Sequence, residues 1–168
     1  MDKESGVKRL ALTLLVGLGL LAGVAGCGFQ LRGQAQLPFE SAHVEAAPGS
    51  ILAPALRDAL SSQDKLAPRL EGAAVRIRLA EESRTKDILA LSGGGKVREY
   101  RLTYRVVMTA QDPGGKDLSA PAEILLTRDY SYSDTAILAK QAEETSLYRA
   151  MEQDALRQVL RRLSYIRR

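Results

Sequence analysis

Hydrophobic and polar residues alternate through most of the middle of the chain, which is the pattern of half-buried β-strands. The alternation is cleanest over residues 74–80, where three aliphatic side chains on one side oppose two arginines on the other. It continues or resumes over residues 81–91, breaks at the glycine-rich residues 92–96, and returns as far as Met108. Because successive strand side chains point to opposite faces, we expect one buried and one hydrated face.

Shorter segments complete the predicted sheet. Residues 29–33 and Ala42–Ala46 have the pattern of brief strands, and a further strand over residues 124–132 follows a strong turn signal at 112–115. Three consecutive strands should pair as an antiparallel meander. The sequence therefore predicts about four to five strands in a mostly antiparallel or mixed sheet.

A first helix is indicated where apolar residues recur at helical spacing. Leu52, Leu56 and Leu60 follow one another at every fourth position. Pro54 is compatible with a helix only in its first turn, since it lacks an N–H group. The helix should therefore begin just before Pro54 and end at the polar residues 61–64.

A longer helix is predicted from Ser133 or Asp134, either of which has a side chain suited to cap it, to Leu163, because no proline or glycine interrupts this stretch. Its apolar stripe consists of Leu147, Met151, Leu156, Val159, Leu160 and Leu163. Since the sheet has one apolar face, both helices should pack on that face. The predicted fold class is α+β, a single layer of sheet with two helices on one face.

The start of the chain has the features of a bacterial lipoprotein signal peptide. Three basic residues precede the apolar stretch 10–21, which is short for a membrane-spanning helix. Residues 24–27 read VAGC, which resembles a lipobox, although an ordinary secretory signal is the alternative. An exported protein with a single cysteine cannot form an internal disulfide, and acylation would consume the thiol. We predict removal of residues 1–26, lipidation of Cys27, and one domain over 27–168.

Lipidation predicts a protein anchored in a membrane by its acyl chains. Gly28, rather than Asp, follows the cysteine, which favours the periplasmic side of the outer membrane. Loss of the leader removes three basic and two acidic side chains, so the formal charge falls from +4 to +3. We expect no nucleic-acid partner, because an exported protein does not meet the chromosome. Arg161 and Arg162 are explained by the preference for cations at a helix C-terminus.

The side chains offer little for catalysis. His43 is the only histidine, which excludes a histidine-rich metal site, and it has no evident partner that would make it a base. Residues 93–96 suggest a phosphate loop only superficially, because Ala90 stands at the first glycine position and Val97 replaces the hydroxyl residue. We therefore predict no enzyme, no metal and no cofactor, and a periplasmic hydrolase that uses His43 is the least favoured alternative.

Binding or assembly remains, and aromatic and basic residues suited to it interleave along the predicted sheet. They are Tyr100, Tyr104, Tyr130, Tyr132, Tyr148 and Tyr165, with Arg98, Arg101, Arg105 and Arg128. Protein interfaces favour these residue types. Arginines also bind phosphate groups through charge-assisted hydrogen bonds, as on an anionic glycolipid. Composition leaves both kinds of partner open.

Four segments together resemble the lipopolysaccharide-assembly lipoprotein family LptE. They are residues 27–33 (CGFQLRG), 99–102 (EYRL), 136–140 (AILAK) and 160–163 (LRRL), in the family's order and spacing. The resemblance implies an α+β sheet with two helices, seated as a plug inside the β-barrel protein LptD. It also implies binding of lipopolysaccharide, support for folding of the barrel, and no enzymatic activity.

The same resemblance implies residues that bind lipopolysaccharide. Lys140 matches the family's lysine in the AILAK segment, and its alternative is a solvated lysine on a helix surface. The family's basic residue at the hairpin tip aligns with Gly93, so Lys96 or Arg98 would have to replace it. For the whole protein, the alternative is an envelope lipoprotein that serves as an auxiliary binding module of another lipid transporter.

Overall fold

The structure is a computed structural model and describes residues 36–166. Its strands are β1 (Ala42–Ala46), β2 (Val75–Leu91), β3 (Val97–Gln111) and β4 (Ala122–Ser131), and its helices are α1 (Leu52–Ser61) and α2 (Ile137–Leu163). The strands form one sheet in the order β1-β2-β3-β4. β1 runs parallel to β2, and the other neighbours are antiparallel. The predicted α+β class and the antiparallel meander are confirmed.

Some predicted features lie outside the described residues. These are the leader over 1–26, the lipidated Cys27 and the strand at 29–33. Within residues 36–166 the sheet has four strands, the lower number of the predicted range. Neither helix of this part of the chain is apolar enough over a sufficient length to cross a membrane.

A single hydrophobic core lies between the sheet and the two helices. The sheet contributes Val44, Val75, Ile77, Leu79, Leu102, Tyr104, Val106, Met108, Ala110, Ile124 and Tyr130, and α1 contributes Leu52, Ala53, Leu56 and Leu60. On β2 and β3 these are alternate residues, and on α1 the large ones recur every fourth position. The burial pattern therefore follows the periodicity of the sequence.

A β-bulge in β2 changes which side chains of that strand face the helices. The register with β3 shifts between Leu79 and Glu81. Before the shift the odd-numbered residues face the helices, whereas after it the even-numbered residues do, beginning with Glu82 opposite the buried Val106. One extra residue in a strand moves the alternation by one position. The polar second half of β2 therefore presents charged side chains to the helix side.

Similar five-residue turns lie at the two ends of β3. In residues 92–96 and 112–116 the amide of the first residue donates to the carbonyl of the last, at 2.7 and 2.9 Å. The fourth residue of each turn is a glycine, with φ of +75° and +85°, where a side chain would be strained. The last residue is Lys96 in one turn and Lys116 in the other. These two lysines thus occupy equivalent positions at opposite ends of the sheet.

Glu82 attaches the N-terminus of α1 to the sheet. Its carboxylate accepts hydrogen bonds from the amides of Ile51 and Leu52, both at 3.1 Å, and from the Tyr104 hydroxyl at 2.6 Å. The Ser50 hydroxyl donates to it as well. Burial, followed by the hydrogen bond to Glu82, raises the pKa of Tyr104 well above its ordinary value, so the hydroxyl remains a donor. The unpaired amides of the first helical turn are thus satisfied by a side chain from another element.

The second half of α2 packs into the core. Its fully buried residues are Met151, Ala155, Val159 and Leu163, one at every fourth position. The remaining members of the predicted stripe, Leu147, Leu156 and Leu160, are partly buried against the core. Ala155 was missing from the predicted stripe, although its spacing from its neighbours is that of the stripe.

The predicted cap of α2 is wrong. A 3₁₀ turn (Asp134–Ala136) precedes the helix, and neither the turn nor the helix has a side-chain hydrogen bond from its N-cap residue. The Ser133 hydroxyl instead lies 2.9 Å from the Thr135 hydroxyl. The extra turn places the true N-cap at Ala136, which has no side chain able to cap.

Candidate functional site

The residues predicted to bind a ligand lie together at one end of the sheet. We call this the distal end; it comprises the outer part of the β2–β3 hairpin (84–103), the last residues of β4 (127–131) and the first ten residues of α2 (137–146). Lys96 and Arg98 are exposed here. Within residues 36–166 neither takes part in an ion pair. Both are therefore available to an anionic ligand.

Lys140 is held more tightly than a solvated helix lysine. Its side chain is 19% exposed, and its ammonium lies 2.8 Å from the Glu143 carboxylate and 3.2 Å from the Ser131 hydroxyl. Ser131 is the last residue of β4 and lies beside the start of β3, which carries Arg98. The structure thus brings Lys140 and Arg98 to the same end of the sheet, and Lys96 lies two residues nearer the hairpin tip.

Large apolar side chains are also exposed at the distal end. They are Ile88, Leu89, Leu91, Ile137 and Leu138, of which Leu138 is 82% exposed. Clusters of exposed apolar residues in a folded protein commonly mark an interaction surface. The distal end therefore combines positive charge with apolar surface, which is the combination that an anionic amphiphile requires.

A network of polar contacts, which we call the seam, joins the distal half of β2 to α2 and includes an aromatic cluster. Its residues are Arg84, Lys86, Tyr130, Glu144, Tyr148 and Glu152. The Lys86 ammonium lies 2.6 Å from the Glu144 carboxylate and 4.2 Å from the centre of the Tyr100 ring. The Tyr130 hydroxyl donates to the same carboxylate at 2.7 Å. Burial acts to raise the pKa of Glu144, but the hydrogen bonds from Lys86 and Tyr130 outweigh it and hold that pKa below its ordinary value. Glu144 is therefore a carboxylate at neutral pH.

Arg84 continues the seam from Lys86 towards the core. Arg84 forms an ion pair with Glu152, and its guanidinium lies 5.0 Å from the centre of the Tyr148 ring. The Tyr148 hydroxyl donates to the carbonyl of Thr85 at 2.9 Å. The prediction missed the contacts between β2 and α2, because the paired residues are 58 to 68 positions apart and the bulge decides which side of β2 the cations face.

The other face of the sheet is uncovered by the helices within the described chain. Three cross-strand rows of polar residues run over it, Asp87–Arg101–Asp129, Thr85–Thr103–Thr127 and Glu81–Val107–Glu123, the last with a central valine. Arg101 donates two hydrogen bonds to Asp129, each at 2.8 Å, and Arg105 pairs with both glutamates of the third row. The face is therefore mostly polar, with Leu125 exposed beside Arg105, and most of its charges are paired within it.

His43 has a structural setting. Its Nδ1 lies 3.1 Å from the carbonyl oxygen of Ala67, to which it donates. A cavity of about 430 Å³ lies beside it and is lined by Arg57 but by no serine, threonine or cysteine. Within residues 36–166 no three side chains of metal-ligating type are grouped. The polar side chains of the cavity are thus one imidazole, one guanidinium and the carboxylate of Glu45, among apolar residues.

The fold is shared with solved structures of bacterial lipoproteins. An uncharacterized lipoprotein B from Nitrosomonas europaea, solved by NMR, is 38% identical with a TM-score of 0.72, over 82% of this chain and 90% of that one. Rare lipoprotein B from Shewanella oneidensis shares the fold alone, with 24% identity and a TM-score of 0.63 over 74% of this chain and 93% of that one. The protein is thus of the α+β class that these lipoproteins define.

The sequence comparison gives the family. The lipopolysaccharide-assembly family model, LptE, matches residues 38–163. The LPS-assembly lipoprotein LptE of Pectobacterium atrosepticum is 30% identical over 165 residues, which cover 94% of this chain and 86% of that protein. The protein of the same name from Photorhabdus laumondii is 31% identical over 161 residues, with coverages of 94% and 87%. The chain therefore belongs to the LptE family of lipopolysaccharide-assembly lipoproteins, and the predicted resemblance is confirmed.

Proposed function

We propose that this chain is a lipid-anchored factor of lipopolysaccharide assembly at the outer membrane, which plugs the β-barrel protein LptD and binds lipopolysaccharide without catalysing a reaction. Membership of the LptE family supports the assembly role. The observation that supports lipopolysaccharide as the ligand is that Lys96, Arg98 and Lys140 lie at the same end of the sheet as several exposed apolar side chains.

Lipopolysaccharide matches the chemistry of the distal end. Its phosphate groups require cations, and charge-assisted hydrogen bonds to phosphate are among the strongest polar contacts. Its acyl chains require apolar surface, which Leu91 and Leu138 supply. A ligand without acyl chains would leave this apolar surface hydrated, so an amphiphile fits better than a free phosphate.

The binding site can be tested by charge reversal at the distal end. We expect the double variant Lys96→Glu, Lys140→Glu to weaken lipopolysaccharide binding at least about tenfold, because each lysine is a charged hydrogen-bond donor. Lys116→Glu is the matched control, since Lys116 has the same turn position at the opposite end of the sheet. Equal affinities of the double variant and the wild type in a purified assay would remove these lysines from the site.

The uncovered sheet face supports a plug inside a barrel. The interior of a transmembrane barrel is polar, as is this face. Because Arg101 and Arg105 are already paired with carboxylates, contact with a polar wall would not bury uncompensated charge. We therefore assign the contact with LptD to this face.

Co-purification tests the barrel partner. Tagged wild-type protein should recover LptD from detergent-solubilised outer membranes. Thr103→Arg should abolish this recovery, because it places a bulky charge in the middle of the face, whereas Ala150→Arg adds the same charge on the exposed surface of α2 and should not. A wild-type protein recovered as a solitary monomer would contradict the plug and favour the auxiliary module of another lipid transporter.

Anchoring at Cys27 is part of the same proposal. Mass spectrometry of the native protein should find the chain beginning at Cys27 with acyl chains attached. Cys27→Ser should release the protein from the membrane fraction, since stable anchoring depends on the buried acyl chains. A free thiol or an intact leader on the native protein would contradict the proposed location.

A further inference from the structure

The first ten residues of α2, which we call the arm (137–146), are attached to the body differently from the rest of the helix. Eight of the ten are exposed, and only Lys140 and Glu144 are half-buried. From Met151 onward, by contrast, every fourth residue is fully buried. The arm therefore contributes no apolar side chain to the core.

Within residues 36–166, two side chains of the arm form its side-chain hydrogen bonds and ion pairs with the sheet. Glu144 binds Lys86 of β2 and Tyr130 of β4, and Lys140 reaches Ser131. The Lys86 and Glu144 side chains are 34% and 24% exposed, so water and salt compete with their ion pair. The attachment of the arm is therefore weak compared with burial of an apolar stripe.

The beginning of the arm is also poorly terminated. Its N-cap, Ala136, makes no side-chain hydrogen bond, and the first turn of α2 contains no acidic residue. Helix N-termini are stabilised by caps and by negative charge, and a helix of ten residues is marginal in water without tertiary contacts. Once its polar contacts are lost, the arm should unwind.

An aromatic cluster lies where Glu144 meets the sheet. Tyr130 is 5% exposed, and its hydroxyl is bound to Glu144. Its ring stacks on Tyr100 at 5.8 Å, and Tyr132 meets Tyr100 edge-on at 5.2 Å. Release of Glu144 would remove the hydrogen-bond partner of Tyr130 and expose this cluster.

We propose that the arm is a lid that opens by local unwinding while the second half of α2 stays docked, that Glu144 is its latch, and that opening exposes Tyr100, Tyr130 and Tyr132. This inference rests on the contrast within α2 and does not depend on the proposed function. Local opening of this kind is expected where buried apolar contacts are few.

Hydrogen exchange of the purified full chain in mild detergent tests the lid. We expect amides of residues 140–146 to exchange at least about a hundredfold faster than those of 152–162. Glu144→Gln should accelerate exchange in the arm about tenfold and leave 152–162 unchanged, because it removes the charge that binds Lys86. Glu143→Gln is the matched control, because it removes only the ion pair with Lys140 inside the arm, at a side chain that is 45% exposed, and keeps the contact of Lys140 with Ser131; it should alter exchange less than about twofold.

Hydroxyl-radical footprinting gives a second readout at the aromatic cluster. Oxidation of Tyr130 should increase in Glu144→Gln and stay at the wild-type rate in Glu143→Gln. In the wild type, raising NaCl from about 0.05 M to about 1 M should accelerate exchange of the arm alone. The lid would be overturned by equal exchange rates over 140–146 and 152–162, or by identical responses of the two variants.

Discussion

The two halves of α2 lie against the same sheet but are held there by different forces. The second half buries Met151, Ala155, Val159 and Leu163 in the core, whereas the arm is held by ion pairs and a tyrosine hydroxyl. The helix is continuous, but its two halves differ in sequence. Every fourth residue from Met151 is apolar and buried, whereas residues 139–146 contain no large aliphatic side chain. The attachment of each half therefore follows from the side chains that it turns towards the sheet.

The two ends of the sheet should therefore differ in what they contribute to stability and to binding. Burying a large aliphatic side chain stabilises a fold by roughly 1.5–3 kcal/mol, whereas a partly exposed ion pair contributes at most about 1 kcal/mol. The core end should therefore account for most of the stability. The distal end, which carries Lys96, Arg98 and the exposed apolar residues, should contribute less to stability.

The largest expected effect comes from comparing leucines at the two ends of α2. Leu163→Ala should lower the free energy of unfolding by about 3 kcal/mol, because Leu163 is fully buried and its loss leaves a cavity. Leu138→Ala should change it by less than about 0.5 kcal/mol, since Leu138 is 82% exposed. Urea unfolding measures both, and similar losses for the two variants would contradict the division of α2.

The next largest effect compares two neighbouring glutamates on either side of the sheet. Glu82→Ala should cost about 2 kcal/mol, because it leaves the Tyr104 hydroxyl and the first amides of α1 without their acceptor. Glu81→Ala removes an ion pair of a side chain that is 63% exposed, so its effect on the unfolding midpoint in urea should be much smaller. Equal shifts would contradict the assignment of Glu82 to the helix side.

A smaller, pH-dependent effect is expected at the latch. The pKa of Glu144 is held below its ordinary value of 4.5, so the carboxylate stabilises the folded state above that pH, and the stabilisation is lost as the pH falls through the lowered value. The wild type should therefore be more stable than Glu144→Gln at about pH 6, and the difference should shrink as the pH falls below 4.5. Thermal unfolding over a pH series measures this, and a constant difference would contradict the carboxylate as its source.

Periodicity was sufficient to predict the elements of the fold. The alternation around Ile77 identifies a strand, and the spacing of Leu52 and Leu56 identifies a helix. Both periods follow from the backbone geometry of a single element, so they can be read from a short stretch of sequence. The bulge after Leu79 was not predictable in this way, since the polar residues that follow it show no apolar period. The predicted cap of α2 was wrong because a 3₁₀ turn, which has no clear sequence signal, follows Ser133 and moves the N-cap of the helix to Ala136.

The assignment of Lys140, Lys96 and Arg98 to ligand binding stays a prediction. The family resemblance indicated Lys140 and the hairpin tip, and the structure places them at one end of the sheet. The contacts of Lys140 with Glu143 and Ser131, and those of Glu144 with Lys86, were missed. The contacts with Ser131 and Lys86 depend on how α2 packs against the strands, and local sequence patterns do not predict this packing.

The smallest effect on stability is expected on the uncovered face of the sheet. The hydrogen bonds that Arg101 donates hold the pKa of Asp129 below its usual range, but both side chains are more than 40% exposed. Asp129→Asn should therefore leave the urea midpoint unchanged within error. It should nevertheless reduce co-purification of LptD, because Arg101 would then carry an uncompensated charge into the contact. A midpoint lowered as far as in Leu163→Ala would show that this face stabilises the fold, and unchanged co-purification would remove Asp129 from the interface.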